Sequence, residues 1–412
     1  MRTLKSSLLF LSLLGMLITS CSENTPTITQ TALITATETN VPTATSTLTP
    51  VPTFTPTITA TNTLLPSNEP GLIVTLGEKV PGPWHWGRAA FSPDGQIIAH
   101  ASAKIRLWNV DTHELIQELK NPYAEGCTVA DAKFSPDGRY FAVSIDSCWK
   151  EENRTGHLVI WDMSTYELIQ DWPQEDAHLP GPGGDMEDYI FQVHAMTFLP
   201  NSTGIVYGSG NTLQIKDVLD NNKQDVLKLG NKMYATQIST SSDGRLVYIV
   251  MDWPKDHNWP SLWTEQYKLQ IWNINTHAFL HEKKYPEGWA KLYLELLGTR
   301  LVEKDFEKAT SQVINLETEE VKDLPFLGGR QYYNSDASLM LDAGTIVYGD
   351  TKQTFELWNT DTWRNMYTLM ADFGTDWIYG MHDIAFSPDN KIIAIEHGEQ
   401  VSLWNVSPVV QP

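Results

Sequence analysis

Residues 91–119, FSPDGQIIAHASAKIRLWNVDTHELIQEL, form a unit that returns in worn form along the chain. Ser92-Pro93-Asp94-Gly95 has the chemistry of a hairpin turn. Proline presets φ for the first central position, Asp tolerates the next, and Gly takes the left-handed position that closes it. Residues 96–100 and 105–110 then read as strands rich in branched and aromatic side chains, and 114–119 as a further alternating run after the turn Asp111-Thr112-His113. With the segment leading into Phe91, the unit is expected to be four short antiparallel strands.

Two tags mark its copies. The turn tag recurs as Phe134-Ser135-Pro136-Asp137-Gly138 and Phe386-Ser387-Pro388-Asp389-Asn390, with weaker copies at 198–204, 239–244 and 334–338. The second tag is an aliphatic residue, Trp, then Asn or Asp. It closes on Asn109, Asp162, Asn273, Asn359 and Asn405, behind Trp108, Trp161, Trp272, Trp358 and Trp404. Ile215-Lys216-Asp217 and Ile314-Asn315-Leu316 fill two gaps without the Trp. The mean step is about 49 residues, a period at which closed rings and solenoids of small sheets are built. The five Trp residues are expected in the core.

On these tags, residues 71–406 resemble the WD-repeat β-propeller family. The Gly-His dipeptide that opens a standard unit is absent, and the Asp before the Trp strand is mostly absent too. The resemblance implies an all-β fold, a propeller of seven blades (six to eight) built from four-stranded antiparallel sheets. After Asn405 too little chain remains for a last fourth strand, while Leu72-Ile73-Val74-Thr75-Leu76 has no sheet of its own. Pairing it onto the last blade would close the ring and cover open edges.

The expected domains are 1–21, 22–69 and 71–412. Residues 1–21 carry Arg2 and Lys5, an apolar run over 8–17, and Ile18-Thr19-Ser20-Cys21. The ending resembles the bacterial lipoprotein signal, in which Cys21 is lipidated and becomes the first mature residue. That implies a lipid-anchored, extracytoplasmic protein at the cell membrane, since multiple acyl chains hold where one does not. Residues 22–69 are nearly all Thr, Pro, Ala and small aliphatics, a composition that builds an extended linker rather than a core. Cys127 and Cys148 flank the first hairpin of the second unit, and outside the cytoplasm a disulfide between them is expected.

The family geometry implies that loops between blades, and between second and third strands, share one face. Every long insertion falls there: 148–156, 172–192, 253–267 and 370–382. They and residues 84–86 bring Trp84, Trp86, Trp149, Trp172, Trp253, Trp259, Trp263, Trp377 and Tyr379 to one end of the ring, among many acidic residues. Indoles offer broad amphipathic contact at low entropic cost, so this rim is the expected binding surface for a protein partner or a glycan. Some of these aromatics are equally expected to cover their own loops.

The 412 residues carry 29 basic and 50 acidic side chains, a formal charge of −21 that repels phosphate backbones and argues against nucleic acid. No H-E-x-x-H, G-x-S-x-G, Gly-Lys-Ser/Thr loop or C-x-x-C occurs. Asp176, His178, Asp185, Glu187, Asp188 and His194 are dense enough for Ca²⁺ but have no recognised spacing, so a solvated acidic loop is the plainer reading. No catalytic residue, metal or cofactor is assigned. The sequence thus points to a monomeric, membrane-anchored, non-catalytic interaction or ligand-binding scaffold. An extracellular hydrolase or carbohydrate-binding propeller with its site on the loop face is the alternative.

Overall fold

The computed structural model describes residues 69–78, 87–123, 127–148, 156–173, 195–209, 212–220, 222–229, 233–241, 245–252, 266–285, 292–325, 330–344, 352–372 and 383–410. The chain divides into Met1–Ala60 and Thr61–Pro412. All the described residues fall in the second unit and contain strands and turns but no helix. They form seven four-stranded antiparallel sheets. Six are consecutive in sequence, over residues 88–119, 127–173, 196–228, 233–284, 292–324 and 331–372. The seventh combines three strands within 383–405 with the strand Gly71–Gly77 from the opposite end of the unit.

The cores prove the ring. Among the described residues there are seven apolar clusters, and each joins one sheet to its neighbour. Ala99, Ile105 and Leu107 of the first sheet pack on Phe141, Val143 and Trp161 of the second. Around the circle, Leu341, Phe355 and Leu357 of the sixth pack on Ile393 and Trp404 of the seventh. Leu76, Ala394 and Leu403 of the seventh then meet Ala89 and Ile98 of the first, which closes the circle. A sheet sandwiched this way buries both faces of its middle strands, so Gly204–Ser209 is buried at all six positions. Fourth strands lie at the rim and stay largely exposed, as in Ala278–Lys284.

The closing strand sits where the sequence placed it. Gly71–Gly77 pairs antiparallel with Gln400–Asn405, from Gly71 opposite Asn405 to Gly77 opposite Gln400. Leu76 is buried, and Tyr367 Oη of the sixth sheet donates to the Pro70 carbonyl at 3.0 Å. Gly77 ends the strand at φ +95°, where a Cβ would lie 2.3 Å from the Glu399 carbonyl oxygen. No other residue fits there.

Both tags are turn devices. Ser92 Oγ donates to Asp94 Oδ1 at 2.6 Å, which accepts from the Gln96 amide at 3.0 Å, while the Ile97 amide donates to Ser92 Oγ at 2.9 Å. The same pattern holds at Ser135/Asp137 and Ser387/Asp389. The Ser92 hydroxyl holds the Asp94 carboxyl below the usual carboxylate range. The Asn or Asp of the second tag ends each third strand. Asn109, Asp162, Asp217, Asn273, Asn315, Asn359 and Asn405 each accept, through Oδ1, the amide two residues on. This Asx turn explains why the polar residue survives in the two units that lack the Trp.

The tag tryptophans differ in depth. Trp161 is fully enclosed and Trp404 is buried, whereas Trp108, Trp272 and Trp358 are half-buried against their clusters. Trp172, grouped by its sequence position with the loop aromatics, is instead a core residue. It is buried between the second and third sheets and stacks on Tyr207 with centroids 6.1 Å apart.

Candidate functional site at the inner strands and the loop-bearing edge

In an antiparallel sheet read in chain order, the first and third turns share one edge, and the second turn and the exit to the next sheet share the other. Strands ending at Cys148, Pro173, Asp252 and Asp372 therefore carry the long connections on a single edge of the ring. The expected binding residues Trp84, Trp86, Trp149, Trp253, Trp259, Trp263, Trp377 and Tyr379 lie outside the described residues, as do Cys21 and the acidic run from Asp176 to His194. Cys127 and Cys148 are described, and their Cα atoms are register partners across the first hairpin of the second sheet.

What the described residues do bring together is a set of polar and charged side chains on the innermost strands. Arg88 Nε donates to the Ala130 carbonyl at 2.7 Å, from the first sheet to the second. Lys133 Nζ donates to the Met196 carbonyl at 2.6 Å, and Asp131 Oδ2 accepts from the Met196 amide at 3.3 Å, from the second to the third. Gln237 brackets the fifth sheet, donating to the Leu294 carbonyl at 2.9 Å and accepting from the Leu296 amide at 2.6 Å. Asp383 of the seventh sheet accepts from the Ala89 amide of the first at 3.0 Å. Each ties the inner strand of one sheet to the backbone of the next. Burial raises the Asp383 carboxyl, with Arg88 opposing.

Sequence reasoning missed these residues, although a signal exists. Arg88, Asp131 and Asp383 each stand three positions before the Phe of a turn tag, at Phe91, Phe134 and Phe386. Gln237 and Gln331 hold the same place before Thr240 and Asn334. At Arg88, Asp131, Gln237 and Asp383 this repeating polar side chain makes the inter-sheet tie, whereas Gln331 accepts from Tyr333 Oη of its own strand.

Two further features flank this ring of ties. On the turn-tag edge a cavity of about 270 Å³ opens between the first three sheets, lined by Phe91, Pro93, Phe134, Pro136, Phe198 and Lys133. Toward the other edge, at the seam of the seventh and first sheets, His100 and Glu396 are fully buried with His100 Nε2 3.7 Å from Glu396 Oε1. Among the described residues no group of three or more His, Cys, Asp or Glu side chains is arranged to hold a metal ion.

No protein-family model matches the chain. No curated protein matches it either. The fold alone defines the class: a closed β-propeller whose last sheet is completed by the strand Gly71–Gly77.

Proposed function

We propose that the chain is a lipid-anchored, extracytoplasmic β-propeller of WD-repeat type that acts as a non-catalytic scaffold, presenting its long loops to a protein partner. One observation carries the reading: the charged side chains of the innermost strands are committed to the backbone of neighbouring sheets. A residue whose polar atoms hold the ring together is poorly placed to move protons on a substrate. Contact then falls to the loops on a rigid frame.

The test uses the full chain expressed in a bacterium. Cys21→Ala should leave the membrane fraction, and Trp253→Ala or Trp377→Ala should weaken capture of a crosslinked partner at least tenfold while the circular dichroism stays unchanged. Retention of Cys21→Ala in the membrane would remove the anchor. Undiminished capture by both Trp variants would remove the loop face as the contact.

The same reading places Cys127 and Cys148 in an oxidising compartment, where we expect them to be bridged. Support comes from their opposed register across one hairpin. Peptide mapping without reductant should return a joined peptide that separates on reduction. Alkylation of both thiols in the unreduced protein would contradict the bridge.

A further inference from the structure

The seam between the seventh and first sheets is the one place where the ring is closed by strands from opposite ends of the unit, and it is built differently from its neighbours. Beside its apolar cluster a polar relay runs from exposed Thr75 through buried Ser402 to half-buried His397. Thr75 of the closing strand and Ser402 are joined hydroxyl to hydroxyl at 2.9 Å, and Ser402 Oγ lies 2.7 Å from His397 Nε2. Across the seam His100 is wholly enclosed, and its imidazole faces Glu396 at 3.7 Å. Neither His100 nitrogen nor either Glu396 oxygen makes a hydrogen bond of normal geometry among the described residues. The Gly398 backbone favours a charge on His100, and the Gly87 backbone favours one on Glu396. The fit is tight, since a Cβ on Gly87 would lie 2.7 Å from Glu396 Oε1 and 3.1 Å from His100 Nε2.

We infer that this seam is an acid-sensitive latch: the enclosed imidazole of His100 and the half-buried imidazole of His397, one on each side of the join, take up protons more readily when the closing strand and the last sheet come away from the first.

The charges around His100 explain why protons are refused while the seam is shut. Burial is the largest effect and holds His100 down to about 4, with Glu399 opposing and Arg106 assisting. His397 is held to about 4, again chiefly by burial, with His100 adding to the penalty. Glu396 gives little rescue. Burial pushes its carboxyl well above the usual range, helped by Asp383 and Glu399 and opposed by Arg88, so it neutralises itself as the solution acidifies. Glu399 stays occupied, accepting from Ser102 Oγ at 2.8 Å, with Arg106 4.0 Å away.

The sign follows. For a histidine whose closed-state value is depressed, the open state binds protons first. The closed seam is then undisturbed above about pH 6.5 and weakens steadily as the pH falls toward about 4. Taking about 6.5 for the opened seam, each histidine should favour opening roughly 30-fold more at pH 5 than at pH 7.5. Glu396 works the other way, and its protonation on acidification offsets part of this.

Hydrogen exchange on the full chain, corrected for intrinsic rates, reads the latch directly. Between pH 7.5 and pH 5, protection of Gly71–Gly77 and Gln400–Asn405 should fall at least tenfold more than that of Tyr140–Cys148 and His157–Asp162. The double variant His100→Gln/His397→Gln should lose that difference. Equal loss of protection in all four strands of the wild type would overturn the latch, and that comparison stands even if the double variant fails to fold. A folded double variant that keeps the full pH response would overturn it as well.

Discussion

Deleting residues 71–77 should lower the thermal midpoint by roughly 10 °C or more, followed by circular dichroism at neutral pH. The strand buries Leu76 and packs Ile73 and Val74 against the seam cluster. Its removal also strips the edge of Gln400–Asn405 and uncovers Val401 and Leu403. At about 1.5–3 kcal/mol for each large side chain fully withdrawn from water, the loss is on the order of 5 kcal/mol. The exposed edge adds a second consequence, because an unpaired inner edge recruits other chains. The truncated protein should therefore associate as well as melt early. An unchanged midpoint would mean that the seventh sheet holds without its fourth strand.

The second large effect concerns Trp161. It is fully enclosed, with its ring 6.4 Å from that of Phe141, at the junction of the first and second sheets. Trp161→Ala should destabilise the ring by about 3–5 kcal/mol in urea, the cost of lost transfer energy plus a cavity that close-packed sheets cannot collapse into. Trp363 is the control. It sits in the third turn of the sixth sheet, 51% exposed at φ 55°, and Trp363→Ala should change stability by no more than about 0.5 kcal/mol. Equal effects of the two substitutions would show that the repeat position is not the packing position.

The contrast between these two tryptophans shows where sequence reading succeeds. Turn chemistry is local, so Ser92, Asp94 and Gly95, or Asn359 and its two following amides, announce themselves within a few residues. The period of the tags then counts the sheets, and the orphan run at Leu72 predicts its own partner. The fifth sheet shows the limit. Its first hairpin turns through Gly298 at φ 59°, between Leu297 and Arg300, and carries no Ser-Pro-Asp signature. Only the Asn315 turn marks that unit from the sequence.

The inter-sheet ties were harder to see for a physical reason. Arg88, Asp131, Gln237 and Asp383 bond to main-chain atoms of the adjacent sheet, and a backbone carbonyl leaves no trace in the side-chain pattern. The seam relay is more distant still, with Thr75 and Ser402 separated by nearly the whole domain. Trp172 misled because its position after a strand end reads as loop, whereas the strand continues to Pro173 and turns the indole onto Tyr207.

Closure of the ring by its two ends is best tested by joining them. Thr75 and Ser402 are register partners with hydroxyl oxygens 2.9 Å apart. In Thr75→Cys/Ser402→Cys, mild oxidation should give an intramolecular disulfide in nearly every molecule, located by peptide mapping, with the native dichroism retained and the midpoint raised. Failure to crosslink within one chain, or crosslinks only between chains, would contradict the closed propeller.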